Sequence, residues 1–157
     1  MNTKGVTIGV YIVLAVVVII LVITNFSQAG CHGLYPKLTV EIVNDIGSGI
    51  NVPCKSKNDD LGIHYIAPGQ AYSFNFRPHI FGVTLFYCST NWNGRTEYFD
   101  AFDGRHGDED VCKNNDCVCF WKLSPDKYCF VDKYSSKPYD FCKPWKPKLK
   151  IALSMQN

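Results

Sequence analysis

The chain has 157 residues, 16 Lys and Arg against 14 Asp and Glu, and eight Cys. That length supports one domain with a real core, and a formal net charge of +2 is too small to argue for nucleic acid as a partner. Eight cysteines in so short a chain belong to an oxidising compartment, where they pair, or to metal sites, where they come in spaced sets.

The first element is apolar. No Asp, Glu, Lys or Arg occurs between Lys4 and Lys37, and Val6 to Ile23 is an almost wholly apolar run. It reads as a cleaved signal peptide or as an uncleaved anchor, since its length just reaches that of a spanning helix. Ser27-Gln28-Ala29 favours the first, because small residues at the −3 and −1 positions before Gly30 suit signal peptidase. Residues 1–29 are therefore expected to be a signal peptide, and on either reading the rest lies on the outer side. Removing them takes Lys4 and leaves a nearly neutral chain. It also takes Asn25-Phe26-Ser27, the N-glycosylation sequon, so the secreted form is expected to carry no N-linked sugar.

Leu38-Thr39-Val40-Glu41-Ile42 alternates apolar with polar and reads as a strand that buries Leu38, Val40 and Ile42. Asn44 to Gly49 is a turn. Ile50 to Lys57 is a second strand, in which Pro53 predicts an edge position or a bulge because proline cannot donate to a ladder. Gly62 to Ile66 is a short third, followed by the Pro68-Gly69 turn. Tyr72, Phe74 and Phe76 then alternate with Ser73, Asn75 and Arg77 in a half-buried strand. Val83 to Cys88 is apolar on both faces and suits a central strand, and Asn93-Gly94 is a hairpin signal before Thr96 to Phe102.

Asp103 to Asn115 reads as a polar loop. Cys117, Cys119, Trp121 and Leu123 share one face of the next strand, so the two cysteines cannot readily bond each other. After Ser124-Pro125-Asp126 comes a last short strand, Tyr128 to Val131. Lys137 to Lys150 is rich in Pro and Lys and reads as a tail with little structure of its own. No run shows sustained helical periodicity. The expected fold is all-β, a small antiparallel β-sandwich stabilised by disulfides, with a domain over residues 30–136 and a basic tail over 137–157.

Cys54-Lys-Ser-Lys-Asn-Asp-Asp-Leu-Gly62, Phe81-Gly-Val-Thr-Leu-Phe-Tyr-Cys88 and Cys119-Phe-Trp121, in that order, resemble the plant self-incompatibility S-protein homologue family. The match runs from about Leu38 to Phe130 and takes in Asn44 and the Pro68-Gly69 turn. The resemblance implies a small secreted β-sandwich that acts as an extracellular ligand and not as an enzyme, its founding members resembling pistil signals perceived by pollen through a membrane receptor. Tyr87 stands where the family usually has Trp, Pro53 where His is common, and two cysteines, Cys112 and Cys117, where one is usual. Cys54, Cys88 and Cys119 carry over; one of Cys112 and Cys117 is the fourth family cysteine.

Cys31, Cys54, Cys88, Cys112, Cys117, Cys119, Cys129 and Cys142 are all expected in disulfides. Cys112-x4-Cys117-x-Cys119 is not a pair of zinc clips, so no metal is expected. Eight cysteines permit about 105 pairings. Cys31 and Cys142 lie at the two ends of the mature chain, and because termini are often close they are expected to pair with each other.

Histidines 32, 64, 79 and 106 stand at no spacing that suggests an acid–base pair, so no catalytic residue and no cofactor are expected. Asp59 and Asp60 are expected to hold a tight turn instead of a metal. Lys137, Lys143, Lys146, Lys148 and Lys150 around Trp145 read as a solvated end. A ligand's functional surface lies in its loops. The candidates are Lys55 to Leu61, Pro78 to Phe81, Ser89 to Arg95 and, first among them, Asp103 to Lys113, where Asp103, Arg105, His106, Asp108, Glu109 and Asp110 are the expected receptor contacts. The expected partner is a plant membrane receptor, met by a secreted, extracellular monomer with no nucleic acid and no stable membrane insertion after cleavage. A secreted cysteine-rich defence or antimicrobial protein is the alternative.

Overall fold

Period-two alternation demands a surface to bury one side of each strand, and two sheets supply it for each other. The computed structural model describes residues 11–20, 31, 36–132 and 141–147. Among the described residues nine strands follow in chain order: β1 Leu38–Asn44, β2 Ile50–Lys55, β3 Asp60–Ile66, β4 Ala71–Phe76, β5 Leu85–Trp92, β6 Arg95–Asp103, β7 Val118–Leu123, β8 Lys127–Phe130 and β9 Phe141–Pro144. A short helix, α1, spans Asp108–Asn114 after a 3-10 turn at Gly104–His106. One sheet runs β4-β1-β7-β8-β9 and the other β3-β2-β5-β6.

Leu38, Val40 and Ile42 are wholly buried, as their alternation predicts, and face Ile50 and Val52 of the other layer in a core with Phe99, Phe102, Trp121 and Leu123. Buried polar bonds also pin the layers. The Trp121 indole on β7 donates to the Ala101 carbonyl on β6 at 2.7 Å. Buried Asn44 donates to the Ser48 and Ile66 carbonyls at 2.8 and 2.9 Å, and its Oδ1 accepts from the Ile46 amide at 3.0 Å. The buried Trp121 indole and Asn44 amide thus meet partners, which removes the penalty of burying them. Asn93 and Gly94 both adopt positive φ, 48° and 77°, closing the β5–β6 hairpin as the dipeptide predicts.

Several expectations change. The sandwich is not wholly antiparallel: β1 pairs with β4 antiparallel but with β7 parallel, Thr39 opposite Val118. Pro53 is not on an edge, for β2 lies between β3 and β5; the bulge expected as the other possibility is there, a register shift between Pro53 and Lys55. Val83 precedes β5 and is exposed. The Asp103–Asn115 loop contains α1, whose two turns are too short to show a period. Three acids, Asp108, Glu109 and Asp110, occupy its first turn and Lys113 its last, charges that suit the helix dipole.

The expected tail is partly domain. β9 pairs with β8, Cys129 opposite Cys142, and Lys146 bridges to Tyr98 of β6, so the chain crosses from one sheet to the other after the expected boundary at 136. Trp145 packs against Trp92, Phe99 and Tyr128, with ring centroids 5.5 to 6.0 Å apart. Lys137, Lys148 and Lys150 lie outside the described residues.

All eight cysteines are cross-linked: Cys31–Cys117, Cys54–Cys88, Cys112–Cys119 and Cys129–Cys142. Cys117 and Cys119 take different partners, as their shared face predicts. The expected Cys31–Cys142 bond is not formed. Cys142 is held opposite Cys129 by the β8–β9 ladder, and Cys31 reaches Cys117 beside the start of β1, where the Thr39 amide donates to the Cys117 carbonyl. Residues 11–20 are helical with exposed side chains, and the expected cleavage point after Ala29 lies outside the described residues. Among the described residues no helix is long and apolar enough to cross a membrane.

Candidate functional site: the turn after β6

β6 ends on Asp103, and the chain must reverse there to enter α1. Asp103 organises that reversal. Its buried carboxylate accepts from the Arg105 amide at 3.1 Å, from Arg105 Nε and Nη2 at 3.1 and 3.3 Å, and from His106 Nδ1 at 2.7 Å. Burial pushes the Asp103 carboxyl up, but the bonds from Arg105 and His106 outweigh it and hold the group below the usual carboxylate range. The Asp103 amide in turn donates to Asp108 Oδ2 at 2.8 Å. Burial raises the Asp108 carboxyl, and that amide offsets part of the rise.

Of the six expected receptor contacts, Asp103 and Asp108 point inward and hold the turn. Arg105, His106 and Asp110 are exposed, while Glu109 is half-buried and pairs with Lys113 at 2.7 Å one helical turn on. The side chains of Arg105 and His106 are 44% and 74% exposed although Asp103 fixes one end of each, so they are presented without being free to wander. This arrangement costs little ordering entropy when a partner binds.

Beside the turn lies a cleft of about 490 Å³, with Val111, Trp121, Phe130 and Phe141 giving an apolar lining and His106 and Lys143 polar points. Lys143 Nζ stands 5.3 Å from the centroids of both Trp121 and Phe141. The sequence reading missed Phe141 and Lys143 because their segment looked like a tail; the signal available was Cys142 between them, which needs a partner.

Two other candidate loops come together. Segments around Ser56–Asp59 and Arg77–Thr84 line one cleft of about 680 Å³ over Phe76 and Phe86. Asp59 accepts from Ser56 Oγ at 2.9 Å, and Asp60 accepts from the Gly62 amide at 3.0 Å and pairs with Lys55 at 2.8 Å, the turn-holding role expected of them. Ser89 to Arg95 is not a loop: it is strand except for the Asn93-Gly94 turn. His64 stacks on Tyr72 at 3.8 Å and donates to the Leu61 carbonyl. Among the described residues no cluster of His, Cys, Asp and Glu is arranged to hold a metal.

The family model for plant self-incompatibility protein S1 matches residues 39–145. S-protein homolog 2 of Arabidopsis thaliana is 34% identical over 153 residues, covering 85% of this chain and 92% of that protein. S-protein homolog 29 of Arabidopsis thaliana is 33% identical over 132 residues, with 82% and 93% covered. Self-incompatibility protein S1 of Papaver rhoeas is 31% identical over 110 residues, with 68% and 77% covered. A solved structure of a self-incompatibility protein homologue, described as one of a widespread family of small, highly stable, secreted proteins from plants, aligns with 71% of this chain and 96% of its own, at 16% identity and a TM-score of 0.48. With a family match that begins in β1 and ends at Trp145, and relatives of this identity over most of its length, the chain belongs to the plant self-incompatibility protein S1 family.

Proposed function

We propose that the protein is a secreted, non-enzymatic ligand read by a plant cell-surface receptor, with residues 1–29 serving as its removed leader and the turn after β6 as its contact surface. Family membership supports the class of molecule, and complete cross-linking of the cysteines supports an oxidising, extracellular address. The observation that carries the reading is the turn itself: Arg105 and His106 are exposed yet held by a buried carboxylate, a charged feature pre-organised on a disulfide-bound scaffold.

The protein secreted into the medium by expressing plant cells should bind pollen or other plant membranes saturably. An Arg105→Gln, His106→Gln double variant, which keeps an amide donor for Asp103 at each position, should lose about tenfold or more of that affinity while keeping the circular dichroism spectrum of the wild-type fold, since a central charged contact is worth at least about 1.4 kcal/mol. Growth inhibition of microbes with no saturable plant binding would overturn the reading in favour of a defence protein.

A further inference from the structure

The loop between β4 and β5 inverts the ordinary rule of burial. Pro78 at its base is buried, while Ile80, Phe81 and Val83 are 60%, 76% and 57% exposed. Three large apolar side chains within four residues form a patch that a soluble surface ordinarily avoids unless something covers it. The tip is held in shape. The Gly82 amide donates to the His79 carbonyl at 2.8 Å, the His79 amide to Thr84 Oγ1 at 2.7 Å, and the Phe81 amide to His79 Nδ1 at 3.4 Å. Gly82 and Gly104 touch backbone to backbone, so closely that a Cβ on Gly104 would stand 2.8 Å from the Gly82 carbonyl oxygen, and the Gly104 amide donates to the Thr84 carbonyl.

Two cations flank this tip. Lys57 and Arg77 line the same cleft as Ile80 and Val83, both are exposed, and neither has an ion-pair partner among the described residues. An apolar tip flanked by unpaired Lys and Arg is the pattern of a surface that enters the headgroup region of a bilayer, where the rings lie at the acyl boundary and the cations meet phosphate. The internal bonds matter for the same reason. A backbone amide carried toward hydrocarbon needs a partner; the amides of His79, Phe81 and Gly82 have one and Pro78 has none to satisfy, while those of Ile80 and Val83 have none among the described residues of the loop, which limits the tip to a shallow depth among the headgroups.

We propose that the β4–β5 loop is a peripheral membrane-docking tip, in which Ile80, Phe81 and Val83 insert shallowly into an anionic bilayer while Lys57 and Arg77 bind lipid phosphate. The tip abuts the Asp103 turn where Gly82 meets Gly104, but its apolar side chains are a different set from Arg105 and His106, so a ligand seated this way would search for its receptor on the membrane surface and not through free solution.

The test is flotation of the secreted protein with vesicles of phosphatidylcholine alone and of phosphatidylcholine with phosphatidylserine. Wild type should float with the anionic vesicles, and less so as salt rises. Ile80→Asp with Phe81→Asp should weaken flotation about tenfold or more with an unchanged melting temperature, and Arg77→Gln should weaken only the salt-sensitive part. As a second readout, the emission of Phe81→Trp should shift to shorter wavelength on adding the same vesicles, beyond any shift shown by the wild-type Trp92, Trp121 and Trp145. Absence of wild-type flotation, equal flotation of the double Asp variant, or no vesicle-dependent change for Phe81→Trp would each overturn the proposal. Loss of receptor binding by the Asp variant with no vesicle binding by wild type would instead assign the tip to a protein contact.

Discussion

Lys146 and Asp100 form an ion pair across the open side of the sandwich, joining the segment that follows β9 to the middle of β6. Asp100 is only 7% exposed, and its second oxygen accepts no hydrogen bond among the described residues, so the Lys146 ammonium is its chief compensation. A lysine from a stretch that reads as a solvated tail thus neutralises a buried carboxylate and holds the two sheets together at that edge.

Replacing Lys146 with Met should therefore destabilise the fold by about 2 kcal/mol, because a buried charge left without its partner costs more than the pair contributes. Adding Asp100→Asn should recover most of the loss. Urea unfolding of the single and double variants checks this, and a Lys146→Met variant as stable as wild type would show that water already compensates Asp100.

Trp145 fills the space between Trp92, Phe99 and Tyr128, and its indole donates to the Pro125 carbonyl at 3.3 Å. Trp145→Ala should cost about 3 kcal/mol, the usual effect of emptying an aromatic site. Trp145→Phe should cost about 1 kcal/mol by keeping most of the packing. Equal losses for the two would mean that the hydrogen bond, not the ring, is what matters there.

The four disulfides close loops of very different length, with sequence separations of 86, 34, 13 and 7 residues. If their effect is mainly on the unfolded chain, removing Cys31–Cys117 should cost about 4.5 kcal/mol and removing Cys112–Cys119 about 2.4 kcal/mol. Paired Cys→Ala variants, compared by denaturant midpoint, give the ranking. Non-reduced peptide maps should contain a fragment linking Cys129 to Cys142; one linking Cys31 to Cys142 would contradict the observed pairing.

Asp103 and Asp108 should respond to acid in opposite directions. The Asp103 carboxyl sits below its ordinary value in the fold, so its contribution is complete above the unfolded value near about 3.9 and is lost as pH falls through the folded value. The Asp108 carboxyl sits above it, so its contribution is complete below that value and is lost as pH rises through the folded one. Asp103→Asn should cost about 2 kcal/mol at neutral pH and progressively less in acid, whereas Asp108→Asn should be neutral or stabilising at neutral pH and lose that advantage in acid. Unfolding midpoints across the acid range check both signs, and profiles parallel to wild type would refute them.

Strand after strand could be read from the residues, because alternation and turn preference act over a few positions. Leu38–Ile42 and Tyr72–Phe76 bury the sides their patterns name, and Asn93-Gly94 turns where it should. The Asp103–Asp110 segment was legible as a charged surface. That Asp103 and Asp108 serve it from inside was not, because the direction of a side chain in an irregular turn depends on what packs beneath.

The sequence by itself determined an all-β, cross-linked domain and the family it belongs to, since periodicity, cysteine number and ordered motifs are properties of the chain read locally. Only the tertiary structure decided that β1 lies parallel to β7, that Cys31 takes Cys117 and not Cys142, and that residues 141–147 join the domain. Those outcomes depend on groups far apart in the chain whose attraction exists only once both are desolvated side by side, and no local preference encodes which distant partner that is.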